Sequence, residues 1–73
     1  MKLLVLLMQI TVNGKKYKIK EKQNILMLLK KLGFKMSKVA VEINQDLIPR
    51  ETYKSVTLKK GDKVEIVTFL GGG

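Results

Sequence analysis

Residues 8–20 read MQITVNGKKYKIK, and their reading decides the fold. Met8, Ile10 and Val12 alternate with Gln9 and Thr11, which is the period of a strand with one buried face. Asn13-Gly14 follows, the pair best suited to positive φ at both positions of a tight hairpin turn. The return strand is KKYKIK. Tyr17 and Ile19 point one way, while Lys16, Lys18 and Lys20 point to water and blunt an otherwise adhesive surface.

Beyond the hairpin the period changes. Ile25, Leu28, Leu29 and Leu32 fall at i, i+3, i+4 and i+7, one face of a helix that Leu26 and Met27 widen. Asn24 is the best N-cap, although Lys22-Gln23 is also compatible with helix. Lys30 and Lys31 suit the negative pole, and Gly33 is a natural stop. Burying such side chains yields about 1.5–3 kcal/mol each before entropy. A lone helix cannot bury that face against itself, so it must lie across a sheet.

The second half supplies the rest of the sheet. In KVAVEIN, Val39, Val41 and Ile43 face inward and Glu42 and Asn44 outward. Gln45-Asp46 is expected to turn, and Leu47-Ile48 to start a short extended piece. Pro49 lacks an N–H and ends any central strand, so PRETY reads as an irregular crossing with one helical turn. Val56 to Leu58 is expected as a short strand and Lys60-Gly61-Asp62 as a turn. In the last strand, KVEIVTFL, Val64 and Ile66 share one face, while Val67 and Phe69 take the face that Glu65 began.

Upstream, the run LLVLLM (Leu3 to Met8) is read as part of the first strand; the other reading makes Met8 the natural start and residues 1–7 an extension. The run is far shorter than the roughly 20 residues of a membrane helix, and no small-residue cleavage site follows it. Strand, strand, helix, strand, short strand and last strand make an α+β chain of the β-grasp (ubiquitin-like) kind. Four to five strands form a mixed sheet on one main helix, with the last strand parallel to the first. One domain over residues 1–70 is expected, and residues 71–73 form a flexible glycine tail.

Composition narrows the function. The chain has 73 residues, no Cys and no His. That removes disulfides, zinc ribbons, thiol nucleophiles and histidine bases, and it makes a reducing, cytoplasmic setting the default. So small a domain has little room for a catalytic pocket, and a carrier or binding module is the better expectation. The net charge is +9. Residues 1–37 hold nine Lys and one Glu, whereas residues 38–73 hold six basic and five acidic residues. The asymmetry reads first as a solvated surface, and second as a footprint for nucleic acid.

The element order, the stretch VEINQDLIPRETY and the ending GDKVEIVTFLGGG together resemble the ThiS/MoaD family of ubiquitin-like sulfur carriers, in its thiamin-biosynthesis branch. The resemblance runs from Met8 to Gly73. It implies a carrier, not an enzyme, that holds sulfur on its own end. The carboxylate of Gly73 is adenylated by a ThiF-like enzyme using ATP and converted to a thiocarboxylate with a sulfur donor. The sulfur then passes to the thiazole synthase ThiG. No cofactor or metal is expected on this chain itself, and no membrane partner.

Physical chemistry agrees with those roles. A carboxylate is a poor electrophile until a phosphoryl group makes its oxygen a leaving group. GGG opens no helix and cannot be a phosphate loop, so the ATP site belongs to a partner. Gly71 and Gly72 form a thread without β-carbons that enters narrow active sites; three extended residues reach about 10 Å. Val67, Phe69 and Leu70 are the candidate docking patch for that partner. Arg50 is expected at the surface, solvated or paired with Glu51 or Asp46, and Asp62 serves its turn. Two alternatives remain: the small subunit of molybdopterin synthase, with the same fold and Gly-Gly end, and a basic RNA-binding β-grasp module. The few aromatic residues disfavour the second.

Overall fold

The computed structural model describes residue 4 and residues 6–69. Five strands, β1 (Leu7–Val12), β2 (Lys15–Lys20), β3 (Val39–Ile43), β4 (Asp46–Ile48) and β5 (Lys63–Thr68), surround one helix, α1 (Ile25–Leu32). Short 3₁₀ turns span Met36–Lys38 and Arg50–Thr52. The strands lie in the order β2-β1-β5-β3-β4. β1 and β5 run parallel, and the other neighbours are antiparallel. This is the expected β-grasp, with its last strand in mid-sheet.

Local chemistry explains the elements. Asn13 and Gly14 take φ of 50° and 81°, as a two-residue hairpin turn requires. The Asn24 side chain accepts a hydrogen bond from the Met27 N–H at 2.8 Å and caps α1. Gly33 ends the helix at φ 84°, a conformation that costs glycine little. Ile25, Leu28 and Leu29 are buried against the inward residues of the sheet, among them Ile10, Val12, Ile19, Val39, Val41, Val64 and Ile66.

Several local expectations shift. The first strand begins at Leu7 rather than Leu3: Leu4 and Leu6 are exposed and precede it. The alternative of an extension over residues 1–7 overlaps β1 at Leu7, and residues 1–3 and 5 lie outside the described residues. The β3–β4 turn is Asn44-Gln45, one residue early, because both adopt positive φ and Asp46 already pairs with Ile43. Val56 to Leu58 forms no strand beyond a single bridge between Asn24 and Thr57. Met27 is exposed and does not widen the packed face.

The core also contains residues that periodicity did not mark. Tyr53, 2 % exposed, and Leu58 close the core from the crossing segment. Backbone bonds Leu26 N–H to the Tyr53 carbonyl and Ile25 N–H to the Val56 carbonyl tie that segment to the first turn of α1, at 3.2 Å each. The crossing is thus a lid on the end of the helix. No described helix is long and apolar enough to cross a membrane.

Candidate functional site

The site is built where β5 runs out. Val64 and Ile66 face the helix, so alternation puts Glu65, Val67 and Phe69 on the open face of the sheet. Val67 is 56 % exposed and Phe69 52 % exposed. Val67 stands opposite Ala40, and Glu65 opposite Glu42. The ladder with β3 continues to the last described residue, since the Phe69 N–H donates to the Lys38 carbonyl at 2.9 Å. Leu70 and the glycines Gly71, Gly72 and Gly73 lie outside the described residues.

An additional apolar residue shares this face. Leu47 is 68 % exposed and pairs with Glu42, one strand beyond β3. Its face was legible only once the turn was placed at Asn44-Gln45, because a one-residue error in register reverses every side chain. Leu7 is exposed on β1 and is not buried beneath its neighbours.

Four polar side chains brace the strands that carry the site: Asp62 and Asn44 at the start of β5, the end away from Phe69, Asn13 at mid-strand, and Arg50 beside the end of β3 that borders Phe69. Asp62 is 9 % exposed. One carboxylate oxygen accepts from Asn44 Nδ2 at 3.1 Å and the other from the Lys59 N–H at 2.8 Å. Asn44 in turn accepts from the Lys63 N–H at 3.0 Å. Asp62 therefore does more than shape its own turn: it joins the β3–β4 turn to the start of β5. Arg50 is exposed, as expected, and its Nη2 donates to the Val39 carbonyl at 3.1 Å, a partner that the sequence did not point to. Asn13 uses both ends of its amide on Ile66, donating to the carbonyl at 3.1 Å and accepting from the N–H at 2.8 Å.

Among the described residues no three acidic, histidine or cysteine side chains gather as metal ligands. The surface depressions are shallow; one lies between Asn44, Gln45, Lys63 and Glu65. What the described residues present around the end of β5 is an exposed apolar patch, Val67 and Phe69, on a strand still hydrogen-bonded to its neighbour.

A mixed sheet closed over one helix, with the final strand in mid-sheet and leading off past an exposed apolar patch, defines a ubiquitin-like β-grasp domain. The chain belongs to the ThiS family, whose pattern matches residues 5–73. The crystal structure of the thiamine biosynthesis protein ThiS from Geobacter metallireducens superposes with a TM-score of 0.78 at 39 % identity, covering 90 % of this chain and all of that one. Thiazole synthase of Paramagnetospirillum magneticum is 39 % identical over 66 residues, which is 90 % of this chain and 20 % of that protein. The chain spans about a fifth of the length of such thiazole synthases. The ycf40 protein of Porphyra purpurea is 38 % identical over 64 residues and is covered over 90 % of its length.

Proposed function

We propose that this chain is a sulfur carrier of thiamin biosynthesis and that the carboxylate of Gly73 is its acceptor group. The observation that carries the reading is the family match, which runs through the glycines to residue 73. The likeness to a thiamine biosynthesis protein matched over its whole length and to thiazole synthases supports the thiamin pathway over molybdopterin synthesis. Three of the four aromatic residues argue against an RNA module: Tyr53 is buried and Tyr17 and Phe34 are packed against the core, which leaves Phe69 as a single exposed ring.

The chemistry follows from the carboxylate. A ThiF-like enzyme lets a Gly73 oxygen attack the α-phosphorus of ATP, and pyrophosphate leaves. The acyl-adenylate is now an electrophile. Sulfide from the sulfur source attacks the acyl carbon, AMP departs with the former carboxylate oxygen, the sulfur loses its proton, and a thiocarboxylate remains for ThiG. Gly71 and Gly72 present no side chain to the walls of either site. Val67, Phe69 and Leu70 hold the domain against the partner while the tail is inside. The entropy lost on ordering the tail keeps each complex weak enough to dissociate.

Incubation of the purified chain with a ThiF-like enzyme, ATP and a sulfur source tests the reading by intact mass. Replacement of one oxygen by sulfur at the C-terminus is expected. A chain amidated at Gly73, or extended by one bulky residue, should remain unloaded. Loading of either blocked form, or no loading of the free chain under conditions that load another ThiS protein, overturns it.

A further inference from the structure

The sheet does not end squarely at the site. β1 turns away after Val12, and β4 stops at Ile48 because Pro49 follows. β3 and β5 continue between them as a two-stranded tongue bearing Ala40, Val67 and Phe69. Two-stranded ribbons are marginal by themselves, so something must hold this one.

The registers show what does. On one side the pairs Ile43–Asp46, Glu42–Leu47 and Val41–Ile48 extrapolate to Val39 opposite Arg50. The main chain at Arg50 has already turned into the 3₁₀ segment. Its guanidinium reaches back and supplies to the Val39 carbonyl the donor that a continuing strand would have offered, at 3.1 Å. On the other side, Thr11–Lys63 and Val12–Val64 extrapolate to Asn13 opposite Glu65. A continuing parallel strand would take the Ile66 N–H on its next carbonyl and give an N–H to the Ile66 carbonyl. Asn13 has turned to φ 50°, and its side-chain amide makes both bonds instead, at 2.8 and 3.1 Å. Its own N–H still donates to the Val64 carbonyl at 2.8 Å.

We propose that Asn13 and Arg50 are positioning residues that clamp the protruding ends of β5 and β3 from opposite sides, and thereby fix the direction in which the chain leaves Phe69 toward Gly73. The inference rests on the carrier reading above. A thread of glycines carries no directional information of its own. The aim of the carboxylate is therefore set at the last rigid point before it, and small misplacement of a reacting group is costly. A hairpin asparagine and an arginine after a proline, each explicable locally, here act together at one end of the sheet.

The test uses the full chain with a ThiF-like adenylating enzyme and ATP. Asn13→Gly keeps the positive-φ turn and loses the amide; Arg50→Ala loses the guanidinium; Arg50→Lys keeps a donor. Ile19→Val, in the core at the far edge of the sheet, is the control, compared at a urea concentration and temperature where all variants stay folded. Amide exchange at Phe69, which neither side chain touches, should accelerate about tenfold more in the Asn13→Gly/Arg50→Ala variant than in the control. The kcat/KM of adenylation should fall about tenfold, while Arg50→Lys alone stays within about threefold of wild type. Exchange that rises uniformly over the sheet, or a kcat/KM no lower than that of the control, overturns the clamp. Failure of the carrier reading is distinct, because then the wild-type chain itself is not adenylated.

Discussion

Phe69 separates a docking surface from a core residue, and the structure sets the size of the effect. A phenylalanine buries about 150–250 Å² when fully enclosed. Phe69 is 52 % exposed, so about 100 Å² remains for a partner to cover. At about 25 cal/mol per Å² that area corresponds to about 2.5 kcal/mol, or about 2 kcal/mol once the β-carbon left by alanine is discounted. Phe69→Ala should therefore weaken association with the adenylating enzyme about 30-fold. The already covered half sets an upper limit of about 2 kcal/mol on the folding loss, because unfolded chains also bury area. The assay is the KM for the carrier in adenylation, measured in the cold where circular dichroism shows the variant folded. Val67→Thr, which keeps the β-branched shape, is a gentler companion with an expected loss of about threefold. A KM within twofold of wild type for both folded variants would refute the patch, and collapse of both folds would assign these residues to the core.

Asp62→Ala should cost about 2–3 kcal/mol in urea unfolding, because it deletes two charge-assisted bonds and strands Asn44 Nδ2 and the Lys59 N–H; a loss under about 0.5 kcal/mol would show that water replaces the carboxylate. Asn24→Ala should remove about 1 kcal/mol through the lost cap at Met27, seen as a lower urea midpoint at unchanged slope. Gly72→Val should leave the unfolding curve unchanged yet lower the adenylation kcat by about 100-fold, since a branched side chain displaces the thread; normal turnover would remove the argument for bare glycine.

Much of the fold was written in short-range pattern. Alternation at Met8, Ile10 and Val12, the Asn13-Gly14 turn and the 3.6-residue spacing of Ile25, Leu28, Leu29 and Leu32 each report a local preference that burial then enforces. The errors lie where local preference was weak. Gln45-Asp46 and Asn44-Gln45 are both plausible turns, and only the pairing of β3 with β4 chooses between them. Tyr53 and Leu58 belong to a segment without period, and their burial is decided by the helix end that the segment happens to cross. Of the site, Val67 and Phe69 were legible because they break the expected polar face of a last strand, whereas Leu47 was hidden by the misplaced turn.

By itself the sequence determined the main hairpin, the helix, the last strand, their order and the glycine ending, because hydrophobic period, turn chemistry and the missing β-carbon act within a few residues. Only the tertiary structure decided that Asn13 meets Ile66 across 53 positions and that the Arg50 guanidinium meets the Val39 carbonyl. Those bonds depend on where neighbouring strands stop, and a strand's stopping point relative to its neighbour is a property of register, which no single stretch of chain contains.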